Sequence, residues 1–234
     1  MIFNVIRTIM AGGHVDVSLV AAQVLAIIFV IVCILPLHEC AHGWVAYKLG
    51  DPTAKLDRRL TLNPLASVDP VGTVWLFLFG FGLAKPVPVD PRYFKKPKRD
   101  MAIVALAGPV SNLLAGLLGA VLANALVVSA RFTGVNGVNQ FIYHLLNYYI
   151  TVNVTLAAFN LLPIPPLDGS RILGAFLSDR ALETYYRYQN IFVMVLFVLM
   201  FSGAFSGPLY AVESVLTRGI LWVAEMPFRL FGAF

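Results

Sequence analysis

Charge is scarce in this sequence. Lys, Arg, Asp and Glu make up 12% of its 234 residues, against 59% hydrophobic residues. A soluble domain carries roughly 25% charged residues, so lipid is the expected solvent for much of the chain. Cysteine is scarce too, with only Cys33 and Cys40. On one helix they lie about 10 Å apart at 1.5 Å per residue, beyond disulfide reach. They read as small buried thiols, and the helical angle turns Cys40 away from His38 and His42. There is no internal repeat, no low-complexity tract and no stretch polar and long enough to form a soluble domain. The first long apolar run begins near Val17 and is not followed by an A-x-A-like site, which argues against a secretory signal. The net charge is +5, but there is no basic solvated helix and no RNA-binding motif, so nucleic acid is not an expected partner.

What is present is a series of apolar segments. Asp16 and Ser18 suit the N-cap of a helix that runs to about Leu49, with a kink at Pro36. Residues 101–130 and 141–162 form two more helices, a short helix covers 169–178, and 190–205 and 208–234 are apolar again. The run 68–84 is apolar but short and carries Gly72, Gly80 and Gly82. Basic residues flank it on both sides: Lys48, Lys55, Arg58 and Arg59 before, then Lys85, Arg92, Lys95, Lys96, Lys98 and Arg99. If 68–84 dips in and returns, both groups face the cytoplasm. Arg171, Arg180 and Arg187 then join them, as the positive-inside rule favours. The expected fold is an all-α polytopic membrane protein with about 5–6 membrane segments and a small re-entrant or β-hairpin element near the active site. Residues 1–234 form one integral-membrane domain, with a catalytic core at about 18–180 and C-terminal membrane segments at 188–234. The location that follows is the plasma membrane, multi-pass, with the active site toward the cytoplasm.

At the end of the first long apolar run, residues 37–43 read LHECAHG. His38 and His42, at i and i+4, share one helix face and can converge on one metal. Glu39 beside the first histidine suits the acid/base of a metalloprotease. Ionisable groups at membrane depth default to a functional role. A third ligand is needed. His14 and His144 fall at the far ends of their helices, whereas antiparallel threading brings Asp168 to the side of His42. Asp168 also suits an N-cap or an Asp-Gly turn, roles compatible with ligation. Two histidines and a carboxylate suit Zn²⁺ and leave a position open for water.

HECAH on a membrane helix, AGPVSN in the third apolar segment and NLLPIPPLDG at the end of the fourth resemble the site-2 protease family of intramembrane zinc metalloproteases. TLNPLASVDPVGT and AKPVPVDPRYFKKPKRDMAIVALAGP resemble its short bacterial and archaeal branch, without PDZ or CBS domains. The likeness covers roughly residues 30–180. It implies His38, His42 and Asp168 as zinc ligands and Glu39 as catalytic acid/base. It also implies that Asn160 orients substrate or stabilises the oxyanion. Asn112 serves helix packing or substrate contact.

The implied substrate is a transmembrane-helix protein, which must be extended to be cut. AKPVPVD alternates valine and proline as an edge strand does, and KLDRRLTL suits its hairpin partner. Val87 and Val89 are therefore candidates for holding an unwound substrate by strand addition. Two other functions fit a membrane chain with metal ligands: a metal-ion transporter and a catalytically silent scaffold.

Overall fold

The computed structural model describes residues 16–67, 69, 85–204 and 206–230. Residues 68–84, the proposed re-entrant segment, fall almost wholly outside them, as does His14. The first long helix is built in two pieces. α1 (Val17–Phe29) is capped by Asp16, whose carboxylate accepts from the Ser18 and Leu19 N–H groups. A five-residue π turn, Val30–Ile34, joins it to α2 (Leu35–Lys48). The irregularity expected at Pro36 is thus found just before it, and Pro36 itself sits in the first turn of α2, where a missing N–H costs little. Short helices α3 (Thr53–Leu56) and α4 (Pro64–Ser67) follow. A 3₁₀ turn at Pro91–Tyr93 leads to α5 (Pro97–Thr133), then α6 (Gly137–Asn160). The chain ends in α7 (Asp168–Gly174), α8 (Asp179–Arg187), α9 (Gln189–Phe201) and α10 (Ser206–Leu230).

Among the described residues, two helices are long and apolar enough to cross a bilayer: the continuous Val17–Lys48 and Pro97–Arg131. At 1.5 Å per residue each exceeds the ~30 Å hydrocarbon core. Their outer faces fit lipid. Leu114, Leu118 and Leu122, one turn apart on α5, are 62%, 59% and 50% exposed, a stripe that water would penalise. The inner faces pack closely. Ile27, Val30, Ile31, Ile34 and Leu35 meet Ala115 of α5 and Leu156 of α6. Below, Ala120 and Ala123 let α5 approach Ile150 and Val154 of α6 and Ile220 of α10, as small residues do in membrane bundles. Phe159, Leu167 and Leu196 join the end of α6 to α9.

No β-strand forms among the described residues. The expected hairpin is instead an extended strap, residues 85–90, held by side chains. Prolines 86 and 88 remove two backbone donors, and Arg59 Nη2 donates to the Lys85 and Pro86 carbonyls at 2.7 and 3.3 Å. Part of KLDRRLTL is helical, in α3. The far end of the strap is fixed by Asp51, fully buried, whose carboxylate accepts from the Asp90 N–H at 2.8 Å and from the Thr53 N–H and hydroxyl. Ala46, Phe94 and Val104 share one small core, so the basic loops after α2 and before α5 lie together. The chain leaves α4 at Ser67, whose carbonyl accepts from the Lys85 N–H at 2.9 Å.

Asp51→Ala leaves three donors without an acceptor and is expected to lower stability by about 2–3 kcal/mol. Thermal unfolding in detergent checks this against Asp57→Ala, an exposed position expected to stay within about 0.5 kcal/mol of wild type.

Candidate metal centre

α2 and α5 run antiparallel and meet face to face along rows of residues four apart. From α2 come His38 and His42, and from α5 Val104, Gly108 and Asn112. His42 Nδ1 lies 2.7 Å from the Val104 carbonyl oxygen, and His38 Nδ1 lies 2.9 Å from Asn112 Oδ1. Both partners are acceptors, so each Nδ1 carries the proton and donates. Each Nε2 is then a bare lone pair. The two Nε2 atoms are 3.1 Å apart, and Asp168 Oδ2 lies 3.3 Å from one and 3.2 Å from the other.

Three buried acceptors thus face one another with no proton between them, and Asp168 Oδ2 has no hydrogen-bond partner. Without a cation this arrangement is costly. A tetrahedral zinc ion with bonds of about 2.0–2.1 Å places its ligands about 3.3–3.4 Å apart, close to the separations found. The donor set fits zinc, with outer partners on both imidazoles of the kind that orient metal ligands.

The glycines of the two flanking motifs are steric requirements. A Cβ on Gly108 would lie 2.3 Å from His42 Nε2 and 2.5 Å from His38 Nε2. A Cβ on Gly169 would lie 2.3 Å from the carbonyl oxygens of Leu161 and Leu162. The bend between α6 and α7 therefore closes only with glycine after Asp168. Asp168 begins α7, but the N-cap is Leu167, which makes no side-chain cap. The carboxylate faces the imidazoles instead. Tyr185 of α8 donates its hydroxyl to the Pro163 carbonyl at 2.8 Å and ties down the proline-rich bend.

Glu39 is buried next to this centre, and its Oε2 accepts from the Val87 N–H at 2.9 Å. A cavity of about 170 Å³ opens beside them, lined by Glu39, Pro86, Val87, Asn112, Asn160 and Arg171 along with the three potential ligands. The sequence-derived residues divide accordingly. His38, Glu39, His42, Asp168, Asn112, Asn160 and Val87 share the cavity, whereas Val89 packs against the Ala46–Phe94–Val104 core. The Asn160 amide donates to its own helix at Leu156 O, 3.0 Å away. Asn112, expected to serve helix packing or substrate contact, is fully buried and accepts from the His38 ring. His144 lines a different cavity, with Arg131 and Tyr143. The Val104 carbonyl, the Gly108 clearance, the Val87 N–H and Arg171 went unread in the sequence. Only the Gly-Pro pair within a helical run hinted at a close approach.

Helices suited to lipid, carrying two imidazoles and a carboxylate to one buried point beside a glutamate, define a metallopeptidase scaffold of the membrane class. The chain belongs to peptidase family M50, which its residues 26–203 match. It is 44% identical over 170 residues to YwhC of Bacillus subtilis, an alignment covering 69% of this chain and 75% of YwhC. It is 30% identical over 185 residues to Rip2 of Mycobacterium tuberculosis, covering 75% and 68% of the two chains. With MJ0392 of Methanocaldococcus jannaschii it shares 32% identity over 157 residues, covering 66% and 35%. The names of all three describe zinc metalloproteases. No solved structure matches the chain.

Asn112→Leu removes the acceptor that orients His38 and is expected to weaken metal binding by about 10- to 100-fold. Gly108→Ala is expected to abolish it, while Gly137→Ala, with open space around its Cβ, leaves it unchanged. Chelator competition on the purified protein reads all three.

Proposed function

We propose that this protein is an intramembrane zinc metalloprotease that hydrolyses peptide bonds in or near transmembrane segments of membrane proteins. The observation that carries the reading is that Glu39 and the three-acceptor centre share one buried cavity. His38, His42 and Asp168 hold the ion. Zinc, when bound, supplies Lewis acidity toward a carbonyl oxygen and toward water.

Glu39 takes a proton from the attacking water and delivers it to the leaving nitrogen. The Val87 N–H holds one of its carboxylate oxygens and so fixes its rotamer. Asn160, at the cavity wall, contacts the substrate or the developing oxyanion. Asn112 orients His38 and offers its amide to the cavity. The strap at Pro86 and Val87 flanks the substrate, which lies extended along it.

The reading extends to topology. Lys85 and Ser67 are joined by a hydrogen bond and the basic loops lie together. Both features support a common side of the membrane for the two basic loops, in a bundle of about 5–6 membrane segments. With positive residues inside, the site opens toward the cytoplasmic face of the plasma membrane. A metal transporter needs ligands along a crossing route. Among the described residues the three potential ligands gather at one point, which favours hydrolysis. The complete set with Glu39 argues likewise against a silent scaffold.

Glu39→Gln is expected to keep stoichiometric zinc and to cut a transmembrane reporter substrate about 10²–10⁴-fold more slowly. Unchanged cleavage would refute the assignment. Val87→Pro, which removes the N–H on Glu39, should also lose cleavage while retaining zinc.

A further inference from the structure

Arg171 lines the cavity that holds Glu39 and the metal centre. It stands three residues after Asp168 on α7 and so on the same face of that helix. Other basic residues nearby are committed to protein oxygens. Arg59 holds the Lys85 and Pro86 carbonyls, Lys98 holds the Leu177 carbonyl and Asp179, and Arg99 pairs with Asp100. Arg171 is half-buried and, among the described residues, has no hydrogen-bond or ion-pair partner. A second donor at the same cavity is without an acceptor. Asn112 is fully buried, and its Nδ2 has no partner at the wall of that cavity. A cavity with two unmet donor groups, one of them a guanidinium, is built to receive an oxygen ligand that carries or develops negative charge.

We propose that Arg171 contacts the substrate, binding the carbonyl oxygen of the bond being cut and then the carboxylate that hydrolysis leaves there. Asn112 donates a second hydrogen bond. The assignment rests on the proteolytic reading. Hydrolysis breaks the peptide C–N bond and forms a C–O bond to the oxygen of water. Both protons of that water end on nitrogen, leaving a carboxylate and an ammonium. Negative charge therefore stays on the acyl side, where a planar guanidinium can grip both oxygens at once.

The test is a binding measurement on the zinc-loaded full chain in detergent. Calorimetry compares N-acetyl-leucine, which ends in a carboxylate, with N-acetyl-leucinamide, which does not. Wild type should prefer the carboxylate. Arg171→Gln should reduce that preference on the order of 10- to 100-fold without changing zinc content, and should weaken the amide less than the carboxylate. Arg171→Lys keeps the charge but not the fork and should retain part of the preference. An undiminished preference in both variants would overturn the proposal, as would an equal loss for both probes, which marks a merely structural arginine. Cleavage is scored separately on the membrane reporter. Wild type that shows the Arg171-dependent carboxylate preference but cuts nothing would count against proteolysis, whereas cleavage with no such preference would overturn the arginine assignment alone.

Discussion

The placement of two protons governs this molecule. His42 donates its Nδ1–H to a main-chain carbonyl and His38 donates its own to Asn112 Oδ1. Both imidazoles therefore present bare nitrogens to Asp168. Much of the neighbouring structure follows from keeping those two bonds. α5 must lie against α2 closely enough for a histidine ring to reach its backbone, which only glycine at 108 allows. Its register must set Val104 opposite His42 and Asn112 opposite His38, two partners eight residues apart with Gly108 midway between them. The resulting cluster of like-seeking acceptors is unstable by itself and becomes stable when a cation joins it.

Around that centre the strap performs a second task. An extended segment with two prolines has few backbone donors, and it spends one of them on Glu39. Arg59 and Asp51 hold its two ends through side chains. The orientation of Glu39 thus depends on residues well away from the candidate metal centre. A buried carboxylate at 51 and a guanidinium at 59 stand where a β-ladder would otherwise be needed.

The legible part of the site was the part written locally. The four-residue interval between His38 and His42 is a helix property, and the Asp-Gly pair beyond a proline-broken helix marks a bend that can present a carboxylate. Helices α5 and α6 were also readable, since long apolar runs with terminal turn residues leave few alternatives in lipid. The contacts between α2 and α5 were not, because they depend on a register set between residues more than sixty positions apart. The alternation in AKPVPVD suggested an edge strand, yet the same prolines that mark an edge also deprived it of a ladder, and Arg59 took the carbonyls a partner strand would have used. At Pro36 the break was expected at the proline itself. The helix widens into a π turn over Val30–Ile34, ending two residues before it, and lets proline occupy a position where it is tolerated.

The central claim is a zinc ion held by two imidazoles and one carboxylate at the end of a membrane helix, with Cys40, nearby in sequence, excluded from the site. Zinc K-edge X-ray absorption on the purified protein tests it directly. The account predicts one zinc per chain in a shell of nitrogen and oxygen at about 2.0–2.1 Å, with the outer-shell signature of two histidine rings. A sulfur ligand at about 2.3 Å, or a single imidazole in the shell, would contradict it.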